Sequence, residues 1–182
     1  FFFHPHPGKR PCLLSRGLGY VYKRQGVTKR LGIDHEQLAK ENPKIITCSI
    51  SGFGDTEINR PAYDNLIQGY GGAMSITGID KENPVKSGIP IADLGAGLYA
   101  VIGILSALRS RETHGVGEHV DISMLDTQVS LLTYMATMHF LSGEDPEPIG
   151  NQHMNHVPFN SYQTKDGFIQ IGVVAEDFWP NL

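Results

Sequence analysis

The sequence predicts an α/β protein, in which short buried strands alternate with apolar helices. Residues 44–50 form a β-branched run with the length and composition of a strand buried on both faces. Residues 94–108 instead repeat apolar side chains at helical spacing, and strand-like runs return at 119–122 and 168–174. Alternation of these two periods along one chain is typical of a sheet covered by helices.

The net charge and the cysteine content limit which binding partners and which cellular compartment we expect. The formal net charge of -4 supplies no electrostatic basis for binding nucleic acid or an anionic membrane. The 2 cysteines, Cys12 and Cys48, form no disulfide or metal motif, and Cys48 lies in an apolar run typical of a small core residue. We therefore expect a protein of the reducing cytoplasm.

Two segments differ in composition from the rest of the chain. Residues 1–25 are basic and show neither period, so we interpret them as a non-native leader and exclude them from the fold. Charge and proline at 143–148 interrupt the pattern. We therefore expect residues 26–145 to be part of a large domain, and residues 146–182 to be a linker and the start of a small domain.

The first elements carry clear boundary signals. Asp34 and Gln37 form a capping-box pattern that starts a short helix. The strand at 44–50 then runs into a glycine-rich loop, and loops at the carboxyl ends of parallel strands build ligand crevices. A further helix follows and ends at Gly71-Gly72, and its predicted buried face comprises Tyr63, Leu66, Ile67 and Tyr70.

The central stretch, residues 84–111, holds one carboxylate, Asp93, inside an apolar run that contains glycines. We predict a buried helix that starts at or just after Asp93, with Asp93 near its N-cap. Backbone N–H groups and the positive helix end would favour the charged carboxylate, and Gly95 and Gly97 would let a ligand approach the backbone. The pattern alone favours a plain helix cap, and an ionised nucleophile in a dry, glycine-lined pocket is the alternative.

Other functions receive less support from the sequence. A membrane span is not predicted, because the uncharged run at 94–108 is shorter than the roughly 20 residues that a bilayer requires. His139, His153 and His156 offer no convergent ligand set, so no metal site is predicted. No Walker A sequence or G-x-S-x-G elbow is present.

The second half of the chain continues the alternation. Ser123 follows the strand at 119–122 and is predicted to cap an apolar helix, with Asp126 in the capping-box position. The predicted buried side of that helix comprises Leu125, Val129, Leu132, Met135 and Phe140.

Five sequence blocks, in order, carry a resemblance to a known family. Among them are NPKIITCSISGFG, PAYDNLIQGYGGAMSITG, HGVGEHVDISMLD and the block around Asp93. They resemble class III CoA-transferases, a group that includes formyl-CoA transferase and carnitine CoA-transferase, over residues 26–182. The resemblance implies a Rossmann-like large domain, a small α+β domain and a homodimer of interlocked chains. Family chains are longer, so we expect this 182-residue piece to be inactive by itself.

The same resemblance assigns roles to residues. It implies that Asp93 attacks an acyl-CoA thioester and carries the acyl group and then coenzyme A covalently. The neighbouring Gly95 and Gly97 N–H groups would hold the oxyanion. Tyr63 and Asp64 fall on active-site positions, with Asp64 orienting the acid substrates. The positions that contact coenzyme A fall on Arg30, Leu31 and Met124. Coenzyme A is then substrate and product, and no metal is required.

Two alternatives remain within the resemblance. The α-methylacyl-CoA racemases of the family carry a His-Asp pair where this chain has Tyr63 and Asp64. Racemisation needs two bases, and tyrosine, whose unperturbed pKa is about 10, is a poor one, so transfer is the favoured activity. The other alternative is a non-catalytic, CoA-binding assembly subunit.

Overall fold

The computed structural model describes residues 27–58 and 60–182, and the predicted leader at 1–25 lies outside them. Its helices are α1 (Val27–Leu31), α2 (His35–Glu41), α3 (Asp64–Tyr70), α4 (Ile91–His114), α5 (Met124–Ser130) and α6 (Tyr134–Ser142). Its strands are β1 (Thr47–Ser51), β2 (His119–Ser123), β3 (Phe159–Gln163) and β4 (Phe168–Gly172). The predicted cap of α2 is confirmed, because Asp34 accepts a hydrogen bond from the Gln37 N–H at 3.1 Å.

The strands β1 and β2 pair in parallel, with Thr47 opposite His119 and Ser51 opposite Ser123. Parallel neighbours require a long crossover, and α3 and α4 lie within it. The predicted strand at 44–50 is confirmed with shifted bounds, but its burial on both faces is wrong. All five β1 residues are half-buried. Helix α4 packs against one face of the strand, and in the described part of the chain the other face is polar.

The long helix α4 buries its small residues and exposes its large ones. Ala92, Ala96, Ala100 and Ala107 are at most 6% exposed, whereas Leu98 is 67% exposed. Small side chains let the α4 backbone approach the strand pair and α5 closely, so the large apolar residues point away. The predicted fully buried helix is therefore wrong for the described residues.

The length of α4 bears on the membrane question. Its 24 residues are long and apolar enough to cross a bilayer, which the shorter uncharged run did not indicate. Its small-residue face nevertheless packs against β1, β2, α3 and α5.

Gly115 ends the helix in a left-handed conformation (φ 76°), and its N–H donates to the Arg111 carbonyl at 2.8 Å.

The second apolar helix is divided by Thr133, which has a positive φ of 52°. Its cap is confirmed, since the Ser123 hydroxyl accepts from the Asp126 N–H at 3.1 Å. Its predicted buried side is only partly correct, because Leu125 packs half-buried against the core and Leu132 and Met135 are also half-buried. The break turns the chain, so helical spacing does not continue from α5 into α6. The buried residues of α5 are Met124, Thr127 and Gln128, while Val129 is 46% and Phe140 82% exposed.

An antiparallel hairpin follows the irregular segment after α6. The strands β3 and β4 pair with Phe159 opposite Gly172. The strand predicted at 168–174 is confirmed, two residues shorter, whereas β3 was not predicted because its centre, Asn160 and Ser161, is polar. Its role as the start of a small domain stays a prediction.

The core joins α3, α4 and α5. Ile67, Ala92, Ala96 and Met124 form one buried cluster. The face predicted for α3 is only partly correct, because its buried residues are Ile67 and Gln68, whereas Tyr63 and Tyr70 are 66% and 60% exposed. This packing places the first turn of α4, with Asp93, directly against α3.

Candidate active site around Asp93

Asp93 lies inside the first turn of α4, and its side chain is exposed. The helix starts at Ile91 with Pro90 as N-cap, so the prediction that Asp93 caps the helix is wrong. Among the described residues, the Asp93 carboxylate has no hydrogen-bond or ion-pair partner. The positive end of the helix favours negative charge at this position.

The helix is capped from another element, by Asp64 of α3. Asp64 Oδ1 accepts from the Ala92 N–H at 2.9 Å and the Asp93 N–H at 3.4 Å. The Ile91 N–H donates to the Ile89 carbonyl at 2.8 Å and the Leu94 N–H to the Pro90 carbonyl at 3.0 Å. All four first-turn donors are therefore occupied without the Asp93 side chain, whose oxygens remain available.

The second oxygen of Asp64 is also engaged. Asp64 Oδ2 accepts from Gln68 Nε2 at 2.7 Å, and Gln68 Oε1 accepts from the Ser87 N–H at 2.8 Å. The predicted role of Asp64 was to orient acid substrates, whereas its observed partners lie within the protein. Gln68 was missed from the sequence, although its spacing of four residues from Asp64 on a helix signals a side-chain pair.

The two glycines after Asp93 differ in their surroundings. Gly95 is buried, and a Cβ atom there would lie 2.9 Å from both Leu131 Cδ1 and Thr127 Cγ2. A Cβ atom on Gly97 would meet nothing within 4 Å among the described residues. Gly97 lies one turn after Asp93, so it leaves open space beside the carboxylate.

The backbone of both glycines belongs to the helix ladder. Inside α4, the N–H groups of Gly95 and Gly97 bond to the carbonyls four residues earlier. They are not free to hold an oxyanion, so the role predicted for these N–H groups does not fit the structure. Gly95 instead permits close packing of α4 on α5.

The remaining predicted site residues are dispersed. Tyr63 is the N-cap of α3 and 66% exposed, next to Asp64. Met124 is 5% exposed, with its side chain in the core. Arg30 and Leu31 are exposed at the end of α1, and no hydrogen bond among the described residues joins them to the first turn of α4.

Asp93 lies on an open surface in the described part of the chain. One cleft, of about 700 Å³, is lined by residues that include Thr77, Val85 and Gln152. Another, of about 190 Å³, is lined by residues that include Tyr99 and Asp126. Asp93 lines neither cleft and its side chain is exposed, so the described residues do not enclose it in the predicted dry pocket.

A polar cluster on β1 and β2 contains Ser, His and Asp but lacks the geometry of a catalytic triad. The Ser49 hydroxyl donates to Asp121 Oδ1 at 2.7 Å and lies 3.1 Å from His119 Nε2. The other ring nitrogen, Nδ1, lies 2.7 Å from Thr47 Oγ1 rather than from the carboxylate. In a triad the carboxylate orients the imidazole, which in turn contacts the serine, so this cluster does not indicate a hydrolase.

The neighbouring thiol is also unsuited to nucleophilic chemistry. Burial first, and the negative charge of Asp121 second, raise the pKa of Cys48 above its ordinary value of 9.0. The thiolate is the reactive form, so Cys48 is a poor nucleophile at neutral pH. Among residues 27–58 and 60–182, no group of three or more His, Cys, Asp or Glu side chains is placed to hold a metal ion.

Comparison of this chain with known proteins identifies its family. The model of CoA-transferase family III matches residues 22–182. Succinate–glutarate CoA-transferase of Agrobacterium fabrum is 40% identical over 154 residues, which cover 84% of this chain and 38% of that protein. Acetyl-CoA:oxalate CoA-transferase of Acetobacter aceti is 40% identical over 146 residues, covering 79% and 38%.

A solved structure supports the same relationship. A CaiB/BaiF family protein from Brucella suis matches with a TM-score of 0.77 at 38% identity, covering 83% of this chain and 40% of that one. The mixed helix and strand fold is therefore that of this family, while the chain spans about 38% of the length of the curated relatives. Because the family model matches most of the sequence, this chain belongs to CoA-transferase family III.

Proposed function

We propose that the protein containing this chain transfers coenzyme A between an acyl-CoA and a carboxylic acid, with Asp93 as the nucleophile. The observation that carries the proposal is the Asp93 carboxylate itself. It is exposed, unpaired among the described residues and set in the first turn of a long helix. Family membership and relatives named as CoA-transferases support the reaction class.

The reaction divides into two balanced halves. Asp93 attacks the thioester carbonyl and expels the CoA thiolate, which leaves a mixed anhydride. The thiolate then attacks the aspartyl carbonyl, releasing the donor acid and leaving an aspartyl-CoA thioester. The acceptor carboxylate attacks that thioester and expels the thiolate, which then takes the new acyl group and frees Asp93.

Three features of the described residues support Asp93 as the nucleophile. The carboxylate must be ionised to attack, and the positive end of α4 favours its charge. The Ala92 and Asp93 N–H groups donate to Asp64 and not to the Asp93 carboxylate. The Asp93 oxygens therefore stay available to attack the thioester. The open space at Gly97 leaves room for the acyl group beside the carboxylate.

The decisive experiment replaces Asp93 by asparagine in the full-length protein. We expect Asp93→Asn to lower the transfer rate on the order of a thousandfold or more, because the nucleophile is lost. Hydroxylamine should cleave an acyl adduct from the unchanged protein, and mass spectrometry should locate it on Asp93. Normal rates in Asp93→Asn, or α-proton exchange in deuterated water without an acceptor acid, would contradict the proposal.

A matched control exists on the next helix. Asp126 is an exposed carboxylate at the third position of α5, as Asp93 is in α4. Asp126→Asn removes the same charge from the same helical position. We expect this variant to keep its rate within about twofold, as is usual for surface substitutions.

Further properties of the whole protein complete the proposal. We propose a cytoplasmic homodimer with a Rossmann-like large domain, acting on acyl-CoA and free acids without a nucleic acid or membrane partner. We also propose that the 182-residue chain alone is inactive, and the open surface around Asp93 supports this. Measurable turnover by the isolated chain would contradict it.

A further inference from the structure

The amide of Gln68 is bonded at both of its ends inside the protein. Gln68 is 0% exposed. Its Nε2 donates to Asp64 Oδ2 at 2.7 Å, and its Oε1 accepts from the Ser87 N–H at 2.8 Å. A carboxylate can only accept here and an N–H can only donate, so the amide has one possible orientation.

This amide connects both ends of the segment that enters α4. Ser87 lies before the helix, and Asp64 Oδ1 caps the first turn by accepting from the Ala92 and Asp93 N–H groups. The segment 87–92 is therefore anchored twice to α3, through Gln68 and Asp64. No water reaches Gln68 to replace a lost bond, because its side chain is completely buried.

We propose that Gln68 is a positioning residue for Asp93. It holds the Asp64 carboxylate in the orientation that caps α4, and thereby sets the position of the first turn that carries the nucleophile. Among the described residues the Gln68 amide bonds to Asp64 and Ser87 and not to Asp93, so it acts through Asp64. The link to catalysis rests on the proposed function of Asp93, whereas the link to the helix start does not.

The variants are chosen to separate this role from general packing. Gln68→Met keeps the length of the side chain and removes both hydrogen bonds. The matched control is Gln128→Met on α5. Gln128 is 3% exposed, and its Oε1 has no hydrogen-bond partner among the described residues. Both changes replace a buried amide by a thioether, but only the first touches the cap of α4.

The first measurement is amide hydrogen exchange of residues 91–94 in the full-length protein. We expect roughly tenfold faster exchange in Gln68→Met, since a buried hydrogen bond to a charged group is lost, and a change within about twofold in Gln128→Met. Unchanged exchange in Gln68→Met, or equal changes in both variants, would overturn the proposal. This outcome does not depend on any activity.

The second measurement is the pH profile of Gln68→Glu, which also serves if Gln68→Met does not fold. An ionised glutamate would face the Asp64 carboxylate and repel it, whereas a protonated one would donate to Asp64 and accept from Ser87. Two other charged residues adjoin this hydrogen-bond network. Asp93 donates its backbone N–H to Asp64, and Lys86 Nζ lies 3.2 Å from the Ser87 carbonyl.

We therefore expect the transfer rate of Gln68→Glu, relative to the unchanged protein, to rise roughly tenfold as pH falls. The transfer rate of Gln68→Met, relative to the unchanged protein, should not depend on pH. A level profile for Gln68→Glu would overturn the positioning role. If the unchanged protein transfers no coenzyme A, the proposed function fails, and hydrogen exchange still decides the role of Gln68.

Discussion

Two glycines on one helix should respond in opposite ways to the same substitution. In a helix interior, alanine is more favourable than glycine by about 1 kcal/mol, because glycine loses more backbone entropy on folding. A Cβ atom at Gly97 meets nothing within 4 Å among the described residues. We therefore expect Gly97→Ala to raise the free energy of unfolding by about 0.5–1 kcal/mol.

At Gly95 the same gain is opposed by crowding. The new Cβ would lie 2.9 Å from Leu131 Cδ1 and from Thr127 Cγ2. The end of the Leu131 side chain can rotate away, but Thr127 is 4% exposed and β-branched, so it cannot move easily. Overpacking of this kind costs about 1–3 kcal/mol, so Gly95→Ala should be destabilised by about 0–2 kcal/mol.

Urea unfolding of the full-length protein, followed by circular dichroism, measures both effects. With equal slopes, the unfolding midpoint should be higher than that of the unchanged protein for Gly97→Ala and lower than that of Gly97→Ala for Gly95→Ala. Gly103→Ala is a further check, because its Cβ would lie 2.5 Å from Val120 Cγ1, on a strand. If Gly95→Ala proves as stable as Gly97→Ala, the close packing of α4 on α5 is wrong.

Three further predictions follow from single contacts. Ser123→Ala should lower the free energy of unfolding by about 1 kcal/mol, because the Asp126 N–H loses its cap, and urea titration checks this. Asp64→Ala should speed exchange at the Ala92 and Asp93 amides, whose acceptor is removed, while amides late in α4 keep their rates. Because the pKa of the Cys48 thiol is raised in the folded protein, the protonated thiol contributes to the free energy of unfolding. This contribution is fully present below pH 9.0, the ordinary pKa, and is lost as the pH rises through the pKa of the folded state. Unfolding free energy should therefore fall above pH 9.0, and Cys48→Ala should reduce that fall.

Local signals in the sequence located most element boundaries. Asp34 and Ser123 cap the helices that follow them because capping joins groups only three residues apart. The strand runs at 44–50 and 119–122 likewise appear as β1 and β2, shifted by a few residues. Thr133 carries no comparable signal, so the break between α5 and α6 was missed.

Burial was harder to predict than element type. Periodicity identifies two faces of α4, but it does not say which one meets the core. The sequence suggested burial all round, whereas the structure buries the alanine and glycine face and leaves Leu94 and Leu98 more than half exposed. The choice depends on how closely the helix must approach β2 and α5, and that distance is set by other parts of the chain.

The sequence by itself determined the α/β class, the family and the identity of the candidate nucleophile, because these depend on local periods and on motifs in a fixed order. Only the tertiary structure decided what holds that nucleophile in place. The cap of α4 comes from Asp64, and Gln68 ties Asp64 to Ser87. The bonds from Asp64 to Ala92 and from Gln68 to Ser87 join residues 28 and 19 positions apart, and such pairs leave no trace in the spacing of side chains along either helix.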